Sequence, residues 1–379
     1  MKKAFAWLLA LCMSVSLVAC SSGSEPSSQP AASAPASATP AAPSPAAPAP
    51  SPEAPAAVAA EDISGTLVIY TTTYDIEYQL IIEDGFHAKY PNITIETVQA
   101  GAGELKTRIQ SEASNPQGDV MFGGLSYADR NLGIWENYVS AEDSTMPASM
   151  RNTTGFLTWT TIQLENLLVS YAAAEDAGID VESITSFDSL LDPQLNGKII
   201  WCDPSASSSA WNMLATILVA KGGYESEEAW DYIDKLLANG VVVGTSSSTC
   251  YKAVYDGEYV VGLTYEAPCV SYYEGGEDDK VKIVFMEEGT SAFPFASAMI
   301  KDAPNQEVAK LFIDYVASVE AQTLWASSTA RQANTDLPTT NEFLTPISEM
   351  KIVESDHQYL SDNKDAILSK FQDIYIKYN

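Results

Sequence analysis

Residues 66–73 read TLVIYTTT, an apolar run followed by three threonines, and this run predicts a buried strand. A helix is predicted over residues 74–90, where apolar side chains recur with a period near 3.6. A second strand (ITIETV, residues 93–98), a helix over 104–111 and a third strand over 119–122 follow. This strand–helix alternation is typical of a parallel sheet with crossover helices.

The same alternation recurs after residue 198. Strands are predicted over residues 198–201, 241–243 and 259–264, with a helix through Trp211 and another over 227–238. Ser226 is the expected N-cap of that second helix, because acidic residues follow it in the first turn. The fold class predicted from this repetition is α/β, with two lobes.

Each lobe is predicted to contain two stretches of the chain. Lobe 1 is residues 62–165 with 285–335, and lobe 2 is residues 166–284 with 336–379. The later strand over 294–300 and helix over 306–319 belong to the returning part of lobe 1.

The composition excludes several classes of protein. The 379 residues contain 20 Lys and Arg against 50 Asp and Glu, a formal net charge of −30. No basic surplus is present to neutralise phosphates, so nucleic acid is not an expected partner. Only His87 and His357 could supply an imidazole, which leaves few possible catalytic triads or zinc sites.

The N-terminal twenty residues have the pattern of a secretory signal peptide. Lys2 and Lys3 precede an apolar stretch over residues 4–18. The sequence LVAC at residues 17–20 resembles the bacterial lipobox, which implies that Cys20 becomes the lipid-modified N-terminus. A membrane-spanning N-terminal helix is the alternative interpretation.

Residues 21–61 are predicted to be a disordered tether. Between residues 21 and 60 the chain contains 15 Ala, 10 Pro and 9 Ser, and such a segment has almost nothing to bury. The prolines favour an extended backbone, so the tether would hold the folded lobes away from the lipid.

Hydroxyl side chains cluster at three junctions where a predicted strand passes into a helix. Helix N-termini at the carboxyl ends of strands favour anions, and hydroxyls beside them can donate further hydrogen bonds. Serine and threonine are also ordinary helix caps, which is the alternative explanation of each cluster alone. The candidate ligand-binding hydroxyls are Thr71, Thr72, Thr73, Ser205, Ser207, Ser208, Ser209, Ser246, Ser247 and Ser248.

Several motifs together resemble the extracellular solute-binding proteins of ABC importers, in the class II periplasmic-binding-protein fold. The motifs are TLVIYTTT (66–73), FHAKYPNI (86–93), GDVMFGG (118–124), DPSASSSA (203–210), AVYDGE (253–258), VGLTYE (261–266) and NQEVAKLFIDY (305–315). The resemblance implies two lobes around a hinge, a ligand in the cleft between them, and a permease and an ATPase as partners. It favours the branch associated with ferric iron, phosphonates, thiamine or phosphorylated sugars.

The resemblance also implies particular contacts. It places Glu266 beside the ligand, and Tyr74 and Tyr265 are candidate aromatic walls, with core packing as the alternative. Iron binding in this class would require an adjacent tyrosine pair, and Tyr272 and Tyr273 are present. In that family the pair follows the strand almost directly, whereas Tyr272 comes several residues later, so no metal site is favoured.

Three cysteines remain in the folded part, Cys202, Cys250 and Cys269. A Cys250–Cys269 pair and buried free thiols are both compatible with the sequence.

An enzyme is not expected. The chain has no G-x-S-x-G elbow, no H-E-x-x-H and no glycine-rich phosphate loop with Lys. The preferred hypothesis is a monomeric, lipid-anchored solute-binding protein without a cofactor, which delivers a phosphorylated sugar or a phosphonate to an ABC permease. The alternatives are a ferric iron-binding protein and a sensor or surface protein on the same scaffold.

Overall fold

A computed structural model of the chain describes residues 59–73, 75–244 and 246–378, with Asp75 described by its backbone alone. The predicted signal peptide, Cys20, nearly all of the predicted tether, and Tyr74 lie outside the described residues. No helix among the residues described has the length and apolar character needed to cross a bilayer.

The described chain forms ten strands and ten α-helices. The strands are β1 (Gly65–Thr71), β2 (Ile93–Gln99), β3 (Val120–Leu125), β4 (Thr158–Ser170), β5 (Ile199–Cys202), β6 (Val242–Gly244), β7 (Val261–Tyr265), β8 (Val281–Val284), β9 (Ala292–Met299) and β10 (Arg331–Gln332). The helices are α1 (Asp75–Tyr78), α2 (Ala102–Ser111), α3 (Tyr171–Ala177), α4 (Ser208–Ala220), α5 (Glu227–Ala238), α6 (Ser247–Tyr255), α7 (Glu266–Glu274), α8 (Gln306–Ala317), α9 (Val319–Trp325) and α10 (His357–Tyr375). A π-helix (Gln79–His87) continues α1, and short 3₁₀ turns occupy Ala60–Asp62, Tyr127–Asn131, Asp143–Thr145, Ala148–Met150, Val181–Ser183, Asp188–Leu191, Pro193–Leu195 and Ile347–Glu349.

Strand β4 takes part in both lobes. Its first half, from Thr158 to Leu164, pairs antiparallel with β9 in the sheet of lobe 1. Its second half, from Glu165 onward, pairs antiparallel with β7 and β8 in the sheet of lobe 2. The strand is thirteen residues long, and its backbone therefore passes through the hinge without a break.

The two sheets have parallel strands that carry the crossover helices. In lobe 1, β1 pairs parallel with both β2 and β3, and β9 closes the group antiparallel to β3. In lobe 2, β5 pairs parallel with both β6 and β7. The α/β class and the strand–helix alternation predicted from the sequence are confirmed, while the residue limits of the lobes stay a prediction.

Each sheet is covered by helices that supply its core. In lobe 1 the ring of Phe312 in α8 lies 5.1 Å from Phe86 of the π-helix and 5.4 Å from Phe122 of β3. The π-helix and α8 therefore pack together on one face of the sheet. In lobe 2 the ring of Trp201 lies 5.3 Å from Phe371 of α10. Burial of such large aromatic side chains is the main stabilising term for each lobe.

Most predicted elements are present within a few residues, and the differences have local causes. Ser226 caps α5 as expected, since its Oγ accepts a hydrogen bond from the Ala229 N–H at 3.4 Å. The helix predicted over 306–319 ends at Ala317, because Ser318 caps a separate helix, α9. Strand β4 and helix α10 were not predicted.

Asp119 fixes the start of β3 against the rest of lobe 1. This fully buried carboxylate accepts hydrogen bonds from the Val68 N–H (2.8 Å), the Asn305 N–H (2.8 Å) and the Asn305 side-chain amide (3.0 Å). It therefore joins β1 to the segment that begins α8.

We expect Asp119→Ala to lower the free energy of unfolding by about 3 kcal/mol, because buried donors lose a charged acceptor. Chemical denaturation followed by circular dichroism would measure the change. The matched control is Asp278→Ala in an exposed loop, which should be neutral. Equal stability of the two variants would contradict this role of Asp119.

Candidate ligand-binding cleft

A polar cleft lies between the two lobes. It consists of adjoining compartments of about 490 and 380 Å³. The residues that line both compartments come from each lobe and from the connecting strands: Thr72, Gly124, Gln163, Tyr265 and Phe295. A ligand here would touch both lobes at once.

The threonine cluster after β1 is only partly directed at the cleft. Thr71 is fully buried, and its Oγ1 donates to the Phe122 carbonyl at 2.9 Å and accepts from the Thr73 N–H at 2.9 Å. Thr71 is thus a structural residue, which corrects its predicted ligand role, whereas Thr72 and Thr73 line the cleft. Gly124 faces them with φ +72°, and a Cβ there would lie 2.6 Å from Thr72 Cγ2.

Two of the predicted serines cap helices in lobe 2. Ser207 caps α4, and its Oγ accepts from the Ala210 N–H at 3.3 Å. Ser246 caps α6, and its Oγ accepts from the Thr249 N–H at 3.2 Å. Because these hydroxyls already serve the helix ends, the capping explanation holds for both, although each also lines the cleft.

The serines that follow the caps are differently placed. Ser208 and Ser247 both line the smaller compartment, and neither hydroxyl has a hydrogen-bond partner among residues 59–73, 75–244 and 246–378. Such hydroxyls can donate to a ligand without breaking a bond inside the protein.

The remaining three predicted serines contribute less to the lining of the cleft. Ser209 lines the smaller compartment but is 8% exposed and shares a 3.0 Å hydrogen bond with Ser207. Ser248 shares a 3.0 Å hydrogen bond with Ser246 and does not line the cleft. Ser205 is exposed and also lies outside the lining. The predicted ligand contacts of Ser205 and Ser248 are therefore not supported by their positions.

Three helix N-termini meet at the smaller compartment. Its lining includes Gly101 and Ala102 at the start of α2, Ser208 at the start of α4 and Ser247 at the start of α6. Each N-terminus carries unpaired N–H groups and about half a positive charge, so their fields add at this end of the cleft. The arrangement suits a negatively charged group.

The larger compartment combines aromatic walls with hydrogen-bonding groups. The rings of Tyr251 and Tyr265 lie 6.4 Å apart and both line it, as predicted for Tyr265. Burial raises the pKa of both phenols, so they remain protonated donors at neutral pH. Glu77 is the one carboxylate in the described lining, and it accepts a 2.8 Å hydrogen bond from Thr329 Oγ1.

No lysine, arginine or histidine occurs among the described residues that line the two compartments. An anion in this cleft would be held by helix N-termini and neutral donors, with no counter-charge from a side chain.

Glu266 is bonded to another side chain. It begins α7, is 3% exposed, and forms a bidentate ion pair with Arg331, with Nε to Oε2 at 2.6 Å and Nη2 to Oε1 at 2.7 Å. Burial raises the pKa of the Glu266 carboxyl and Arg331 opposes that rise. Each carboxylate oxygen accepts a hydrogen bond from Arg331. Both residues line a small pocket that shares Gln163, Tyr265 and Phe295 with the two compartments, so the ligand contact of Glu266 stays a prediction.

The tyrosine pair considered for iron packs beside the cleft lining. The ring of Tyr272 stacks on Tyr255 at 4.3 Å and lies 6.4 Å from Tyr251, and the Tyr273 hydroxyl oxygen accepts a hydrogen bond from the Ile283 N–H at 3.0 Å. Neither residue of the pair lines the two compartments, and burial raises the pKa of both phenols. Their role as iron ligands stays a prediction.

Several lining residues were missed in the sequence. Thr160, Thr161 and Gln163 lie on β4, which was not recognised as a strand, and Phe295 lies on its partner β9. Tyr251 follows the predicted serine cluster and lies on α6. The polar run TWTTIQ at residues 158–163 was the available signal, since polar residues in a central strand need a partner or a ligand.

A match between this chain and a family model identifies the class of protein. The family model of the bacterial extracellular solute-binding proteins matches residues 82–328, and the chain belongs to this family. It is therefore a solute-binding protein of an ABC importer, which works with permease and ATPase subunits and is not an enzyme.

Individual relatives have low sequence identity to this chain, but the similarity extends over most of both proteins. A probable ABC transporter periplasmic-binding protein of Sinorhizobium fredii is 24% identical over 279 residues, covering 72% of this chain and 75% of that protein. A periplasmic protein of Salmonella typhi assigned to 2-aminoethylphosphonate binding is 25% identical over 250 residues, covering 62% of this chain and 68% of that protein.

Solved structures confirm the two-lobed fold. The periplasmic binding protein AfuA of Actinobacillus pleuropneumoniae, with fructose-6-phosphate bound, superposes with a TM-score of 0.71 at 24% identity, covering 83% of this chain and 99% of AfuA. Iron-bound HitA of Pseudomonas aeruginosa superposes with a TM-score of 0.67 at 20% identity, covering 82% and 99%. At these identities the likeness is one of fold alone.

We expect Arg331→Met to lower the free energy of unfolding by about 3–5 kcal/mol at neutral pH, because it leaves the Glu266 carboxylate buried and unpaired. The folded-state pKa of that carboxyl would then lie further above its unfolded value. The loss should therefore be full above the folded-state pKa and should shrink as the pH falls toward the unfolded value near 4.3.

Thermal unfolding between pH 4 and pH 8 would measure this dependence. The control is the double variant Glu266→Gln/Arg331→Met, whose stability should exceed that of Arg331→Met at pH 8 and vary less with pH. A deficit that is the same at every pH would show that the ion pair is not the cause.

Proposed function

We propose that the imported solute is a small organic anion, either a phosphorylated sugar or a phosphonate, bound with its phosphoryl group in the smaller compartment. The observation that carries the proposal is the meeting of three helix N-termini around the hydroxyls of Ser208 and Ser247, which have no hydrogen-bond partner in the described part of the chain. Phosphoryl oxygens accept several hydrogen bonds at once, and helix N-termini favour their charge.

The larger compartment supports a solute with a second polar end. Glu77 can accept hydrogen bonds from hydroxyl groups or an ammonium, and the protonated phenols of Tyr251 and Tyr265 can donate or pack against a ring. A sugar would meet these groups with its hydroxyls, and an aminophosphonate would meet Glu77 with its amine.

The relatives add independent support for this ligand chemistry. One similar protein is assigned to 2-aminoethylphosphonate binding, and one similar structure contains fructose-6-phosphate. Ferric iron remains the alternative, since another similar structure is iron-bound.

We also propose that the cleft closes on its solute. Because β4 connects the two sheets through continuous backbone, a small rotation about this strand would bring the α4 and α6 N-termini toward Thr72 and Thr73. A solute that contacts both lobes stabilises the closed form, which is the form that a permease could recognise.

A ligand screen tests the proposal at the level of the solute class. A stabilising ligand raises the unfolding free energy by RT ln(1 + [L]/Kd), so the correct compound should give the largest thermal shift. The panel is sugar phosphates, phosphonates, thiamine and ferric citrate. A shift with ferric citrate alone would contradict the anion proposal and establish the iron alternative.

We expect Ser208→Ala combined with Ser247→Ala to weaken binding of the best phosphoryl ligand by at least ~2 kcal/mol, since two hydrogen bonds to a charged group are lost. Isothermal titration calorimetry would measure the affinity. The control is Ser205→Ala, in the same loop but outside the cleft lining, which should bind normally. Unchanged affinity in the double variant would remove Ser208 and Ser247 from the site.

We further propose that residues 1–20 are a cleaved signal peptide, that Cys20 carries the lipid, and that the protein works as a monomer on a tether over residues 21–61. We expect the wild type to incorporate radiolabelled palmitate and Cys20→Ser to lose the label, because the lipid is attached through the Cys20 sulfur. Metabolic labelling and immunoprecipitation would measure this, with Cys269→Ser as the control. Equal labelling of Cys20→Ser and the wild type would contradict the anchor.

A further inference from the structure

Two cysteines far apart in the sequence lie against each other in lobe 2. Cys202 is the last residue of β5, and Cys250 lies in the first turns of α6. Both residues are buried, with 2% and 0% of their surface exposed, and the Cys250 thiol donates a hydrogen bond to the Ser246 carbonyl oxygen at 3.6 Å. Both are free thiols in the structure.

The backbone around the pair explains this contact. Cys202 is the register partner of Gly244 on the parallel strand β6, so their Cβ positions point to the same face of the sheet. A Cβ on Gly244 would lie 3.3 Å from Cys250 Sγ, and a Cβ on Gly262 of β7 would lie 3.2 Å from the Cys250 carbonyl oxygen. These two glycines allow α6 to lie directly on the sheet, with the Cys250 sulfur beside the neighbour of Cys202.

The third cysteine is separate from the pair. The Cys269 thiol donates to the Tyr265 carbonyl at 3.3 Å and accepts from the Asn166 side-chain amide at 3.6 Å. The Cys250–Cys269 pairing that the sequence left open is therefore disfavoured, because the Cys250 sulfur lies beside Gly244, the register partner of Cys202.

We propose that Cys202 and Cys250 are a disulfide-forming pair, oxidised outside the cytoplasm by a disulfide-bearing oxidant such as oxidised glutathione or a disulfide-carrying oxidoreductase. Extracytoplasmic compartments permit such bonds, whereas the cytoplasm keeps thiols reduced. Because both sulfurs are buried in the folded lobe, the exchange takes place while the lobe folds after export.

The chemistry balances in two exchange steps. The Cys202 thiolate attacks one sulfur of the oxidant, a mixed disulfide forms, and one thiolate leaves. The Cys250 thiolate then attacks the Cys202 sulfur and expels the second thiolate. Two cysteines are oxidised by two electrons, one disulfide is reduced to two thiols, and the two cysteine protons pass to those thiols.

The bond would connect two of the three helix N-termini that meet at the smaller compartment of the cleft, those of α4 and α6. Cys202 lies shortly before Ser207 and Ser208, and Cys250 lies shortly after Ser246 and Ser247. A covalent link between β5 and α6 would fix the starts of α4 and α6 relative to each other before a solute arrives.

A non-reducing peptide map of the full-length protein tests the proposal. The protein is expressed with its own leader in a bacterium with an oxidising extracytoplasmic compartment, trapped with N-ethylmaleimide in denaturant, and digested with trypsin. We expect tryptic peptides 199–221 and 236–252 to be recovered as one linked species that separates after reduction. Cys269→Ala should retain this species, and Cys202→Ala should lose it.

Thermal unfolding gives a second readout. Reductant should lower the Tm of the wild type and of Cys269→Ala by roughly 5–10 °C, since opening a long covalent loop releases chain entropy in the unfolded state. The Tm of Cys202→Ala should not respond to reductant. Because the peptide map uses the wild type, poor folding of a variant does not affect it.

Two results would overturn the proposal. One is recovery of peptides 199–221 and 236–252 as separate N-ethylmaleimide adducts after refolding in oxidised glutathione. The other is a link from Cys250 to Cys269. The solute affinity plays no part in either measurement, so this proposal and the proposed function can fail independently.

Discussion

The continuity of strand β4 through the hinge is the constraint on which the rest of the structure depends. Its first half completes one sheet and its second half completes the other, so a single run of backbone hydrogen bonds positions both lobes. A strand shared in this way can twist but cannot separate the lobes without breaking sheet hydrogen bonds. The polar face of the same strand supplies Thr160, Thr161 and Gln163 to the cleft, so hinge and binding surface are one element.

Among the described residues that line the two compartments there is no cationic side chain, and three helix N-termini supply partial positive charge there. The protein carries a formal net charge of −30, and Arg331, which lines a small pocket adjoining the larger compartment, forms a buried ion pair with Glu266. The N-termini of α2, α4 and α6 offer partial positive charge and N–H groups at fixed positions. Neutral donors of this kind hold an anion without the desolvation cost of a buried cation, which suits a protein that must later release its solute.

Helix capping and the lining of the cleft use neighbouring residues of the same short motifs. In the sequences SSS at 207–209 and 246–248, the first serine caps the helix, and the hydroxyl of the second has no hydrogen-bond partner among the described residues and lines the cleft. The capping explanation therefore holds for the first serine of each cluster, while ligand binding by the second stays a proposal. Local hydrogen bonding determines which serine caps the helix and which one presents its hydroxyl to the cleft.

Local pattern alone determined the α/β class, most strands and helices, the Ser226 cap and the polar nature of the strand ends, because periodicity and capping are properties of neighbouring residues. Only the tertiary structure shows that Glu266 forms an ion pair with Arg331, that Thr71 is buried, that Cys202 and Cys250 are neighbours, and that β4 joins the lobes. These relations link residues far apart in the chain, and their partners are chosen by packing, which a one-dimensional pattern does not contain.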